Sequence, residues 1–320
     1  MLATYRIPDA AMNGLRIESL SVDIPGKPDH DLDVHVQVWS PNDARKDGMD
    51  LVYLHGLGGL AFLPPDLEER DPENLQQAIR TIFESTSARR LITMHRPHCG
   101  LPPYRSSANV LPDDMPERTI RRISEEMRDV IVQLGVREYV AMGYSFGGPI
   151  AGYTATLDGP VQRGAVLIDA TPPDVSRTYI LEKDADTIAQ LKAEPPPQED
   201  PEDPLHMEVV ARLTALQTQQ PWAQEQTDFA PDGPGNPTAQ RILGRPAIPT
   251  SLIIATKSIN YRLPTLRSHQ LHWLHGVPPG ESSLEYVATD HSVARVKEGC
   301  AAIIRSTCNV LRCIDESKRA

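Results

Sequence analysis

Apolar and polar residues alternate in two early stretches, LRIESLSVDI (15–24) and LDVHVQVW (32–39). A period of two belongs to a half-buried strand. The segment between them carries Pro and Gly, so the pair reads as an antiparallel edge of a sheet. From residue 51 the pattern changes. LVYLHGLGG (51–59) is a short apolar run closed by a Gly-rich turn, and GAVLIDA (164–170) is a second such run. Continuous apolar runs of this length predict strands covered on both faces. RLITMH (90–95), EYVAMGYS (138–145), TSLIIATK (250–257) and SLEYVAT (283–289) read as further strands. Helical spacing lies between them. Residues 73–85 put Leu75, Ala78, Ile79 and Ile82 on one face, and residues 116–134 do the same with Ile120, Ile123, Met127 and Val130 before a stop at Gly135. FGGPIAGYTATL (146–157), residues 264–275 and residues 292–313 also read as helices. Strands alternating with helices predict an α/β fold with a mostly parallel sheet and right-handed crossovers.

The alternation fails over residues 171–249, which hold PPD, EPPPQEDPEDP and PDGPGNP around helix-like pieces at 184–193 and 205–219. This is too long for an ordinary connection, so it reads as an inserted cap or lid. The expected organisation is a core in two parts, 1–170 and 250–320, with the cap at 171–249.

Composition narrows the partners. The net charge of −11 argues against nucleic acid, whose phosphates call for clustered Lys and Arg. No stretch approaches the roughly 18 consecutive apolar residues of a membrane span, and the N-terminus lacks the pattern of a signal peptide, so the expected location is cytoplasmic. The four cysteines, Cys99, Cys300, Cys308 and Cys313, are too few for a disulfide framework in 320 residues.

The strongest chemical signal is Gly143-Tyr144-Ser145-Phe146-Gly147-Gly148, directly after an apolar strand and before a helical pattern. G-x-S-x-G in that setting is a nucleophile elbow: a sharp turn lifts the Ser hydroxyl off the sheet, and side chains at Gly143 or Gly147 would collide with neighbouring elements. A second signal is His55-Gly56-Leu57-Gly58-Gly59 after the strand at 51–54. A third is Thr289-Asp290-His291-Ser292 between the last strand and the last helix. A neutral imidazole there can take the Ser proton and return it to a leaving group. In these three segments the chain resembles the serine-nucleophile branch of the α/β-hydrolase superfamily, over most of residues 15–313. The resemblance implies an eight-stranded, mostly parallel sheet flanked by helices. It implies Ser145 as nucleophile, His291 as general base, and the backbone N–H groups of Leu57 and Phe146 as oxyanion donors. The loop with His95 and His98 resembles one that borders the family's pocket, and Tyr144 and His55 are further candidate substrate contacts; for His55 the resemblance favours a brace of the turn.

The acid is less plain. The loop after the seventh strand, Ala255-Thr256-Lys257-Ser258-Ile259-Asn260-Tyr261, has no carboxylate where the family usually carries Asp. Some branches carry the acid after the sixth strand, which makes Asp169 the first choice. Asp174, Asp290, a neutral Asn260, an acid from the cap and a working dyad remain alternatives. His269, His272 and His275 recur at three-residue steps, but with no Cys or acidic cluster alongside they read as a helix face, so no metal and no cofactor are expected. The expected activity is hydrolysis of an ester or thioester carbonyl in a small molecule. Carbon–carbon bond hydrolysis, acyl transfer, cyclisation and a non-catalytic receptor are the alternatives. A Ser at the elbow counts against epoxide hydrolases and dehalogenases, which need a carboxylate nucleophile.

Overall fold

A computed structural model describes residues 15–23, 33–42, 47–56, 75–96, 119–174, 177–193, 236–291 and 293–319. The alternating stretches form β1 (Leu15–Asp23) and β2 (Asp33–Pro41), paired antiparallel. The apolar runs form β3 (Met49–Leu54), β4 (Ala88–His95), β5 (Glu138–Tyr144), β6 (Val161–Ile168), β7 (Thr250–Ala255) and β8 (Ser282–Val287). Together they make one sheet in the order β1-β2-β4-β3-β5-β6-β7-β8. β2 meets β4 antiparallel, and every pairing from β4 through β8 is parallel. The period of two therefore belongs to the antiparallel end of the sheet and the continuous runs to its parallel part, but β2 is covered on both faces over Val36–Trp39, and β8, the parallel edge, is largely half-exposed.

Helices cover both faces. α1 (Leu75–Ser85) and the long final helix, α9 (Lys297–Ser317), pack on one face, where Ile79, Ile82, Ile303 and Val310 meet Leu51 and Val166. α2 (Ile120–Gln133) and α3 (Gly147–Thr154) lie on the other, where Ile123, Met127 and Ile150 meet Val52, Leu54 and Ile92. Adjacent residues of β3 thus feed opposite cores, as the alternation of side chains along a strand requires. Between β6 and β7 come α4 (Arg177–Lys183), α5 (Ala185–Ala193) and α6 (Pro237–Leu243). The expected helix at 205–219 lies outside the described residues.

Two predicted helices are divided. Residues 259–274 form α7 (Ile259–Arg262), α8 (Pro264–Gln270) and a 3₁₀ turn (Leu271–Leu274) in place of one helix at 264–275. Pro264 separates α7 from the expected helix, because the residue before a proline is driven out of the helical region and Leu263 is extended at φ −87°, ψ 115°; within 264–275 the change is a tightening to 3₁₀ at Leu271. The final helix begins as a 3₁₀ turn (Val293–Arg295), then Val296 is extended before α9 starts. Among the described residues no helix is long and apolar enough to cross a membrane.

Candidate active site

The site lies where β3, β5, β6 and β8 end. After β5 the backbone turns through Ser145, whose φ of 52° is in the left-handed region that L side chains rarely enter. The turn is held from both sides. Ser145 N–H donates to the Ile168 carbonyl at 3.0 Å, and its own carbonyl accepts from Gly148 and Thr171, each at 3.0 Å. Tight packing explains the flanking glycines. A Cβ on Gly147 would stand 1.8 Å from the Leu54 carbonyl oxygen, and one on Gly143 would stand 2.8 Å from the Gly147 carbonyl oxygen.

Asp169 follows β6 and is also in the left-handed region, at φ 41°. Its N–H donates to the Ile253 carbonyl at 2.7 Å, which seats it between β6 and β7. The carboxylate is fully buried. Oδ1 accepts from the Ala255 N–H at 3.3 Å and the Gln270 amide at 3.2 Å, and Oδ2 faces Nδ1 of His291 at 2.5 Å. A carboxylate in this position can only accept, so the imidazole carries its proton on Nδ1 and Nε2 becomes the basic nitrogen.

His291 is fixed at backbone and ring. Its carbonyl accepts from the Tyr144 hydroxyl at 2.9 Å and from the Val293 N–H at 3.0 Å. The Tyr144 ring packs against the imidazole with centroids 4.9 Å apart. Tyr144, expected beside the substrate, therefore also ties the residue before Ser145 to His291. Among the described residues Ser145 and His291 share no direct hydrogen bond. Such a bond is often long before substrate binds and closes in the reacting complex.

His55 is placed as a brace. Its ring is fully buried, Nδ1 lies 2.8 Å from the Gly56 carbonyl, and Nε2 accepts from the Arg96 N–H at 3.3 Å. Both nitrogens face the backbone, so the ring braces the turn. Arg96, 1% exposed, completes the brace by donating to the carbonyls of His55 at 2.7 Å and Gly56 at 2.9 Å, with its guanidinium 5.5 Å from the centre of the Phe146 ring. Nothing in the sequence singles out Arg96 or Gln270, because each acts through contacts made only after folding.

No protein-family model matches the chain, and no curated protein matches it in sequence. Solved structures do resemble it. A carboxylesterase from Nitrososphaera gargenis is 13% identical with a TM-score of 0.61, over 93% of this chain and 99% of that one. A proline iminopeptidase from Mycobacterium smegmatis is 17% identical with a TM-score of 0.58, over 94% of this chain and 100% of that one. A bromoperoxidase from Bacillus anthracis is 16% identical with a TM-score of 0.54, over 93% and 100%. The chain has the α/β-hydrolase fold.

Within this α/β-hydrolase sheet Ser145, Asp169 and His291 stand at the ends of β5, β6 and β8, on the side where open parallel sheets bind ligands. The other acids are placed elsewhere. Asp290 is exposed, and Asp174 faces His269 and His272. The backbone of Asn260 lies in α7, but its side chain falls outside the described set. Phe146 is fully buried directly before α3. His95 ends β4, opposite His35 of β2, with its side chain outside the described set; Leu57 and His98 lie outside it altogether.

Proposed function

We propose that this protein is a serine hydrolase acting on the carbonyl of an ester or thioester in a small molecule. Ser145 Oγ attacks the carbonyl carbon while Nε2 of His291 takes the hydroxyl proton. Asp169 keeps Nδ1–H in place and offsets the imidazolium charge. The N–H groups of Leu57 and Phe146 receive the oxyanion of the tetrahedral intermediate. Its collapse breaks the bond to the alcohol or thiol, which leaves with the proton from Nε2. Water then repeats the sequence on the acyl-enzyme.

The observation that carries this reading is the 2.5 Å contact between the imidazole of His291 and a carboxylate with no solvent exposure. It supports an acid at Asp169 despite the carboxylate-free loop after β7. The left-handed turn at Ser145 supports the nucleophile. The likeness to a carboxylesterase and an iminopeptidase fits carbonyl chemistry.

The test is steady-state turnover of short and long p-nitrophenyl esters and acyl thioesters. At least one is expected to be hydrolysed, and Ser145→Ala should lower kcat by about 10³-fold or more. Equal turnover by the folded variant, or none across the panel by the folded wild type, overturns the reading.

A further inference from the structure

We propose that Asp174, His269 and His272 form a binding site for one divalent transition-metal cation of the zinc type. Asp174 Oδ2 lies 3.1 Å from Nδ1 of His269 and 2.7 Å from Nδ1 of His272. One ligand atom from each of the three residues falls within 4.8 Å of the others. Zinc bonds of about 2.0–2.2 Å to imidazole nitrogen and carboxylate oxygen put tetrahedral ligand atoms about 3.3 Å apart. Both carboxylate–imidazole distances fall within about 0.6 Å of that spacing, and the two imidazole nitrogens lie no more than 4.8 Å apart.

The backbone explains why both rings face one carboxylate. His269 is the last residue but one of α8, and His272 lies in the 3₁₀ turn that follows it. Side chains three residues apart share one face of a helix, and tightening to 3₁₀ brings them closer to eclipse. The same strip holds the loop after β6 at two further points. Gln270 donates to the Ala170 carbonyl at 3.2 Å, and the Trp273 indole N–H donates to the Thr171 carbonyl at 3.0 Å.

A second observation points to a ligand. The Asp174 side chain is only 5% exposed, and its Oδ1 is buried without a hydrogen-bond partner among the described residues. A buried carboxylate oxygen left unpaired is costly. A cation among the three residues would engage this carboxylate more fully. The set of two imidazoles and one carboxylate suits zinc, cobalt or nickel rather than calcium or magnesium. His272, 42% exposed, opens the cluster to solvent on one side, giving an entry path and room for a fourth ligand. Each imidazole would bind at Nδ1 and carry its proton on Nε2. His275, the third residue of the spaced triplet, is exposed and stands outside the cluster. The bound cation would fasten α8 and the 3₁₀ turn to the loop that carries Asp169.

Calorimetric titration of zinc chloride into tag-free, chelator-treated and desalted full-length protein tests this, with cobalt chloride as the spectroscopic probe. The expected result is one equivalent bound, visible ligand-field bands of four-coordinate cobalt and a raised melting temperature. Asp174→Asn and His272→Gln should each weaken binding by about 100-fold or more, since even an outer-shell partner is worth 10–100-fold. Ser145→Ala should bind as the wild type does, which separates this site from the proposed chemistry. Circular dichroism checks the fold of each variant. If Asp174→Asn unfolds, the exposed His272→Gln decides. Binding by folded wild type that persists unchanged in His272→Gln places the cation elsewhere and overturns the site, as does no binding at all.

Discussion

Asp169 and Ser145 both hold a backbone conformation that disfavours most side chains, with φ of 41° and 52°. Asp and Asn tolerate the left-handed region better than other non-glycine residues. Asp169→Asn therefore keeps the backbone geometry while removing the charge beside the imidazole. It also removes the oxygen that selects the Nδ1–H tautomer. The expected outcome is a fall in kcat of about 10⁴-fold with little change in the thermal melt. Asp169→Ala should lose activity and also melt earlier, because Ala lacks that tolerance. A melt of Asp169→Asn as low as that of Asp169→Ala would count against this separation of charge from backbone. Ser145 and His291 are legible in the sequence because each sits in a short contiguous segment with its own geometry. Asp169 is legible only as a strand-end carboxylate among several. The approach of Asp174 to His269 spans 95 residues of chain, so local spacing could show three histidines but not the acid that two of them face.

Elements are legible where one period runs unbroken, as in α2 and in the strand pair β1 and β2. They blur where a local conformation interrupts a continuous apolar pattern. Val296 leaves the helical region while its neighbours keep helical spacing, so the expected helix at 292–313 divides, and the one at 264–275 tightens to 3₁₀ from Leu271. The near end of the parallel strands carries a different device. Asp50 in β3 is fully buried and receives both Arg89 and Arg90 of β4, each through its Nε and a terminal nitrogen. The hydrogen bond that Arg89 donates to Asp50 raises its guanidinium above the ordinary value, against the opposing effect of burial. Arg90 also donates to the Leu134 carbonyl at 3.1 Å, linking the sheet to the end of α2. Breaking a buried ion pair by removing one partner costs about 3–5 kcal/mol. Asp50→Asn should lower stability toward that range in urea unfolding, with ester turnover by the remaining folded protein unchanged. Equal stability would show that this network contributes little to holding β3 and β4 together.

Across the whole molecule, two apolar layers hold a sheet whose strand ends bring distant residues together. Glu138 makes a more exposed link, joining β5 to Arg163 of β6 and to Lys318 beyond α9. Its carboxyl is held below the usual carboxylate range, first by the hydrogen bond from Arg163. A depressed folded-state value contributes stability above the ordinary value and loses it as pH falls through the depressed one. Glu138→Gln should therefore destabilise slightly at neutral pH, by less than about 1 kcal/mol for so exposed a group. The difference from wild type should vanish in acid, below the usual carboxylate range, when urea midpoints are compared across pH. The central claim is that Ser145 forms a covalent adduct with the help of His291, and mass spectrometry after exposure to a fluorophosphonate reads it directly. The account predicts one adduct per folded chain, on the peptide containing Ser145, absent in Ser145→Ala and much slower in His291→Ala. An adduct on another residue, or folded protein that stays unlabelled, would contradict it.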